Sequence, residues 1–201
     1  MKNQVVKDAV IITLITLVAG ILLGLVHGIT AAPIAAEEEK TRNNACKAVF
    51  EAASTFDEAQ YDAKAVAEAL TKGGITKTKI NSIAEAKDSS GASLGYVVDV
   101  TNTEGYGGDI ELMAGITSDG TINGIQFLSI SETAGMGMKA KDADFMDQFK
   151  GLKADQVKWT KSGKTSDDEI DAISGATVTT KAVTKAVNGA LLACQYMEAQ
   201  K

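Results

Sequence analysis

The chain has 201 residues, with 20 Lys and Arg against 26 Asp and Glu, a net charge of -6, one His and two Cys. That acidic balance excludes a nucleic-acid footprint, which needs clustered positive charge to neutralise phosphates. One His and two Cys are too few for a four-ligand zinc site or a four-Cys iron–sulfur cluster, so no metal site is expected.

The first element is Val10–Ile29, VIITLITLVAGILLGLVHGI, with no charge and with Thr13, Thr16 and His27 as its polar side chains. As a helix it is ~30 Å long, about the hydrocarbon thickness of a bilayer. Threonines inside lipid can return their hydroxyls to backbone carbonyls. Lys2 and Lys7 precede the span and Glu37, Glu38 and Glu39 follow it. The positive-inside rule therefore puts the N-terminus in the cytoplasm and the main domain outside. This single-pass membrane anchor is preferred to a cleaved signal peptide, although Ala31, Ala32, Ala35 and Ala36 resemble a cleavage zone, because signal cores usually run ~7–15 residues. Gly20, Gly24 and Gly28 fall on one helical stripe that would let another membrane helix approach, or they reflect how common Gly is in such helices. His27 lies near the outer boundary of the span, so the rest of the chain has no imidazole and no Ser-His triad can form there.

Residues 37–54 read as a helix with Cys46, Val49, Phe50 and Ala53 on one face, and Asp62–Thr71 as a second helix ended by Gly73-Gly74. Period-2 stretches follow at Ile80–Lys87, Leu94–Thr103, Asp109–Thr117 and Ile122–Ser131. Ser118-Asp119-Gly120 is a hairpin turn between the last two. A Gly/Met loop (Gly135-Met136-Gly137-Met138), a short helix at Ala143–Phe149 and a strand near Val157–Thr160 come next. A long helix from Val178 to about Met197 closes the chain, with Val183, Val187, Ala190, Leu191 and Cys194 along one face. The expected fold is α+β, an antiparallel sheet with flanking helices plus one N-terminal transmembrane helix. Three regions are expected: 1–30 stub and anchor, 31–75 helical connecting segment, 76–201 extracytoplasmic domain. Cys46 and Cys194 face an oxidising compartment, where a disulfide and two buried thiols are equally compatible with the sequence.

Two small-residue clusters could carry chemistry. Asp171-Ala-Ile-Ser174-Gly175-Ala176-Thr177 runs straight into the last helix, where free N–H groups and the helix dipole receive a phosphate. The plainer alternative is that Ser174 or Thr177 only caps that helix. Ser131-Glu132-Thr133-Ala134-Gly135-Met136-Gly137-Met138 follows a strand. Its thioethers could cover a flat aromatic ring, or merely fill a gap. Tyr106, in Gly105-Tyr-Gly-Gly108, is a third candidate contributor.

These residues carry a resemblance. Asp171-Ala-Ile-Ser-Gly-Ala-Thr177 resembles the flavinylation motif D-x-x-[ST]-G-A-[ST] of the FMN-binding domain. Ser-Glu-Thr-Ala-Gly-Met-Gly137 is similar to that family's S-E-T-P-G-L-G loop beside the isoalloxazine ring, with Ala134 where Pro is usual and Met136 where Leu is usual. Gly105–Ile116, Ser118–Ile125 and Val183–Asn188 are also similar to the family pattern. The domain occurs in the G subunit of the Rnf electron-transport complex and in the C subunit of the sodium-pumping NADH:quinone reductase, and the short length is closer to the former.

The resemblance implies FMN joined through a phosphoester to Thr177 by a separate FAD-dependent transferase. Asp171, Ser174, Gly175 and Ala176 would complete the attachment motif, and Glu132, Thr133, Gly135, Met136, Gly137 and Met138 the ring loop. It implies no catalytic residue in this chain alone. It further implies an electron relay between an iron–sulfur and a flavin subunit of a membrane complex that couples ferredoxin oxidation and NAD⁺ reduction to ion movement. The alternatives are a flavinylated subunit of a sodium-pumping quinone reductase or other membrane reductase, and a non-redox membrane-anchored binding or assembly module.

Overall fold

In the computed structural model, which describes residues 2–200, the apolar stretch lies within helix α1 (Lys2–Val49). Met1 and Lys201, the outermost positions of the expected regions, lie outside the described residues, as does the side chain of Lys2. Contacts divide the chain into two compact units, Met1–Arg42 and Asn43–Lys201.

In the first unit the large apolar side chains from Val5 to Ile34 are exposed. This is the one helix among the described residues long and apolar enough to cross a membrane. Exposure of that many aliphatic groups is unfavourable in water and favourable in hydrocarbon. Thr13 Oγ1 donates to the Ala9 carbonyl at 2.8 Å, Thr16 Oγ1 to Thr13 at 3.0 Å and Thr30 Oγ1 to Val26 at 2.9 Å, so the hydroxyls are satisfied inside the helix. The helix continues through Pro33, so the expected second helix from residue 37 is part of the same element.

The second unit is built on a five-stranded antiparallel sheet in the order β1 (Thr55–Glu58), β2 (Thr78–Lys87), β3 (Ser93–Asn102), β4 (Ile110–Thr117), β5 (Ile122–Ser129). Alternation sorts its side chains to two faces. Val98, Val100, Leu112, Ala114 and Ile116 face the main core together with α4 (Thr177–Glu198). Val97, Ala86 and Met113 face a second cluster with Ala45, Cys46, Val49 and Phe50. Helix α2 (Ala63–Lys72) starts where the Asp62 carboxylate accepts the N–H groups of Lys64 and Ala65, a side-chain N-cap. It buries Val66 and Leu70 in the main core.

Between the sheet and the last helix come a 3₁₀ turn (Gly137–Lys141), α3 (Ala143–Met146), a second 3₁₀ turn (Asp147–Phe149), β6 (Lys158–Thr160) and β7 (Glu169–Asp171). β6 and β7 pair in parallel. Helix α4 packs on β3, β4 and β2 and also touches α2 and β6, so its burial exceeds the single expected stripe and takes in Thr180, Thr184 and Asn188.

The α+β class stands as expected, with two strands the periodicity does not announce. β1 has Phe56 as its single large apolar residue, and β7 is three residues long and ends at Asp171, where the motif begins. The two cysteines form no disulfide with each other. Both are buried thiols, Cys46 in the second cluster and Cys194 in the main core.

Candidate functional site

The β4–β5 hairpin runs in a register that sets Glu111 opposite Ser129. The segment entering β4 (Gly105–Gly108) and the segment leaving β5 (Ser131–Thr133) therefore emerge at the same end of the sheet. The N-terminus of α4 lies at that end. The three segments enclose a cleft of about 470 Å³ lined by Tyr106, Glu132, Thr133, Met136, Gly137 and Gly175–Thr179. That volume is in the range of small-molecule sites.

Outside α1, three large apolar side chains among the described residues are exposed: Tyr106, Met136 and Val178. All three line this one cleft. Exposed apolar groups gathered in one concave place mark a binding surface rather than ordinary surface chemistry. The walls suit a flat, partly apolar group. Met136 adds a polarizable thioether and Tyr106 an aromatic face.

The attachment motif is shaped by its backbone. Gly175 has φ +78°, in the left-handed region that L side chains rarely adopt, and this turns the chain from Ile173 into α4. A Cβ there would stand 3.4 Å from Met136 Cε, so the two sequence clusters touch. Ala176 is the N-cap of α4 and makes no side-chain capping bond. Neither Ser174 nor Thr177 serves as the cap, which removes the plainer explanation of the motif. The tether is Thr180. Its hydroxyl accepts the Ile173 N–H at 3.1 Å and donates to the Ala176 carbonyl at 3.0 Å. No hydrogen bond to the described residues engages the half-buried Thr177 hydroxyl, which is left available for chemistry.

Thr177 and Gly175 also line a smaller cavity of about 300 Å³ with Lys161, Ala172, Ile173 and Ser174. Thr177 thus stands between an apolar-walled cleft and a cavity whose one charged lining residue, among the described ones, is a lysine. Asp171 lines neither. It is exposed at the end of β7, and its backbone is held by Gln148, whose Oε1 accepts the Asp171 N–H at 2.6 Å and whose Nε2 donates to the Asp171 carbonyl at 3.3 Å.

In the other cluster the backbone coils on the Thr133 carbonyl, which accepts the N–H groups of Met136 at 3.1 Å and Met138 at 3.2 Å. This presents Met136 to the cleft. Gly135 and Met138 do not line it. Glu132 lines the cleft and accepts the Tyr106 N–H at 2.8 Å. Val178 and Thr179 line the larger cleft and Lys161 the smaller cavity, none of them singled out from sequence. An apolar Val in the first turn of α4, off the stripe of Val183, Val187 and Leu191, was the available signal for the first of these.

Residues 105–192 match the model of the FMN-binding domain. The chain is 34% identical to the G subunit of the Na(+)-translocating ferredoxin:NAD(+) oxidoreductase complex of Acetobacterium woodii, over 92% of this chain and 88% of that one. It is 31% identical to the proton-translocating counterpart of Clostridium ljungdahlii, over 94% and 91%. It is 32% identical to the G subunit of the ion-translocating oxidoreductase complex of Methanosarcina acetivorans, over 100% and 98%. Among solved structures, NqrC of Shewanella oneidensis has the same fold, with a TM-score of 0.51, 22% identity, and coverage of 75% of this chain and 72% of that one.

Proposed function

The chain belongs to the family of G subunits of ion-translocating ferredoxin:NAD(+) oxidoreductase complexes, with an FMN-binding domain, and we propose that it is the electron-relay subunit of such a complex, holding FMN through a phosphoester to Thr177. The observation that carries this reading is the meeting of the exposed apolar groups Tyr106, Met136 and Val178 around a Thr hydroxyl with no hydrogen bond to the described residues.

The residues present fit FMN. The apolar cleft accepts a flat ring. The Gly175 turn leaves the backbone open beside Thr177, and the helix N-terminus and Lys161 favour a phosphate close to that hydroxyl. Bound FMN supplies reversible electron uptake and release, while the chain supplies attachment, orientation and electrostatics. Thr177 is an anchor and takes no part in turnover. Met136 and Tyr106 would restrict the ring, and the Thr180 tether holds the attachment loop against α4.

With the main domain on the extracytoplasmic side, a covalent bond prevents loss of a cofactor that the cytoplasm could not replace. Attachment there is the work of an FAD-dependent flavin transferase. A flavin so placed would relay electrons between iron–sulfur and flavin subunits of the same membrane complex. Relatives alike over nearly the full chain are G subunits of ion-translocating complexes, whereas the quinone-reductase protein shares the fold at lower identity, and this favours the ferredoxin-linked assembly.

The test is co-expression with a flavin transferase, followed by denaturing electrophoresis and in-gel fluorescence. The wild-type band fluoresces, Thr177→Ala is dark, and Thr179→Ala remains fluorescent. A dark wild-type band sinks the covalent flavin, and a fluorescent Thr177→Ala band moves the attachment elsewhere.

A further inference from the structure

Among the described residues lining the larger cleft, Glu132 alone carries a charge. Its half-buried side chain sits where three segments meet. Oε1 accepts the Tyr106 N–H at 2.8 Å and so fastens the Gly105–Gly108 loop to the rim. Oε2 lies on the other side, close to Gly137, where a Cβ would stand 2.7 Å from it and 2.6 Å from Thr179 Oγ1. A carboxylate here is therefore confined, with one oxygen committed to the backbone. A glutamine could make the same Tyr106 bond through its own carbonyl oxygen. Hydrogen bonding alone does not require the negative charge.

We propose that Glu132 has two separable tasks: it positions the Tyr106 loop over the cleft, and its charge holds down the reduction potential of the flavin bound there. This rests on the reading that FMN occupies the cleft. The physical cause is simple Coulombic opposition. Each electron the ring takes up without an accompanying proton makes it one unit more negative, and a fixed negative charge on the cleft wall disfavours that gain. No lysine or arginine among the described residues lines the cleft to offset it.

Three full-length proteins, each co-expressed with the transferase, separate the tasks. In-gel fluorescence first establishes loading. Redox titration against dyes of known potential then gives the midpoint, and amide exchange at Tyr106 reports the loop. Glu132→Gln is expected to load flavin and to leave Tyr106 exchange unchanged. Its midpoint should rise by the equivalent of about a tenfold change in the one-electron equilibrium constant, ~59 mV. Glu132→Ala is expected to raise the midpoint similarly and also to speed exchange at Tyr106.

A Glu132→Gln midpoint equal to wild type overturns the electrostatic task. So does a Glu132→Gln protein that fails to load, because the charge would then act in attachment. Equal Tyr106 exchange in wild type and Glu132→Ala overturns the positioning task. A dark wild-type band instead sinks the flavin reading itself, while the exchange comparison still decides the loop contact in the flavin-free protein.

Discussion

The Thr180 hydroxyl, fully buried, stands between the Ile173 N–H that donates to it and the Ala176 carbonyl that it donates to, reaching back across the Ser174–Ala176 turn. A cap would satisfy one of the free N–H groups at the helix start; this contact instead ties the loop before the helix to a side chain within it. Replacing Thr180 by Val keeps the shape and leaves the Ile173 N–H buried without its partner, at a cost of ~1–3 kcal/mol. Thermal unfolding of the detergent-solubilised chain should show a lower midpoint, and flavinylation in co-expression should fall although Thr177 is intact. Thr180→Ser should recover both. Unchanged flavinylation in the Val variant would mean that the loop presents Thr177 without this tether. The motif could be read in the sequence by its spacing, but its mechanics could not, because Thr180 is one of three threonines within four residues and nothing in the sequence sets it apart.

At the scale of elements, the site depends on one hairpin. The β4–β5 register brings Tyr106 and Glu132 together from positions 26 residues apart, and a shift of one residue would turn both strands inside out. The turn that sets the register is tied by Asp119. Its carboxylate accepts from Lys153 Nζ at 2.7 Å and from Thr117 Oγ1 at 2.5 Å. Those bonds, that to Lys153 foremost, and contact with Thr121 hold its carboxyl well below the ordinary carboxylate range. A depressed folded value means that the contribution is present above the unfolded value of 3.8 and is lost as pH falls through the folded one. Wild type should therefore lose more stability than Asp119→Asn as pH drops from about 5 toward about 2, read as the difference in urea midpoints. Equal losses would show that the exposed contacts are screened away by solvent.

The hairpin and the long helices were legible because their patterns repeat over eight or more residues. β1 and β7 were not, because each holds a single large apolar side chain, Phe56 and Ile170, with an acidic residue beside it and no large apolar partner two positions away for alternation to show. β1 exists because the Ser54–Glu58 stretch finds the open edge of β2, starting with the Ser54 N–H donating to the Lys87 carbonyl at 2.7 Å. β7 exists because β6 and Gln148 hold the Asp171 backbone. In the same way the two motif loops could be named as separate candidates, while their contact through Met136 and Gly175 needed the fold.

For the whole molecule, apolar exposure and charge act together. Apolar side chains cover the first unit from Val5 to Ile34, Lys7 precedes the span, and Glu37, Glu38 and Glu39 follow it. Moving the acidic second unit across the membrane is the direction that keeps basic residues behind, so the flavin domain is expected outside the cytoplasm. The packing of the cysteines makes this orientation measurable. Cys46 and Cys194 are 6% and 2% exposed, so a membrane-impermeant maleimide has little to react with in the native chain. Ser162 is exposed in the loop after β6, on the same unit as Thr177. In intact spheroplasts Ser162→Cys should be labelled at once and wild type should not. Labelling that appears only after permeabilisation would place the domain in the cytoplasm. It would also remove the reason for a covalent bond, since free FMN would then be at hand.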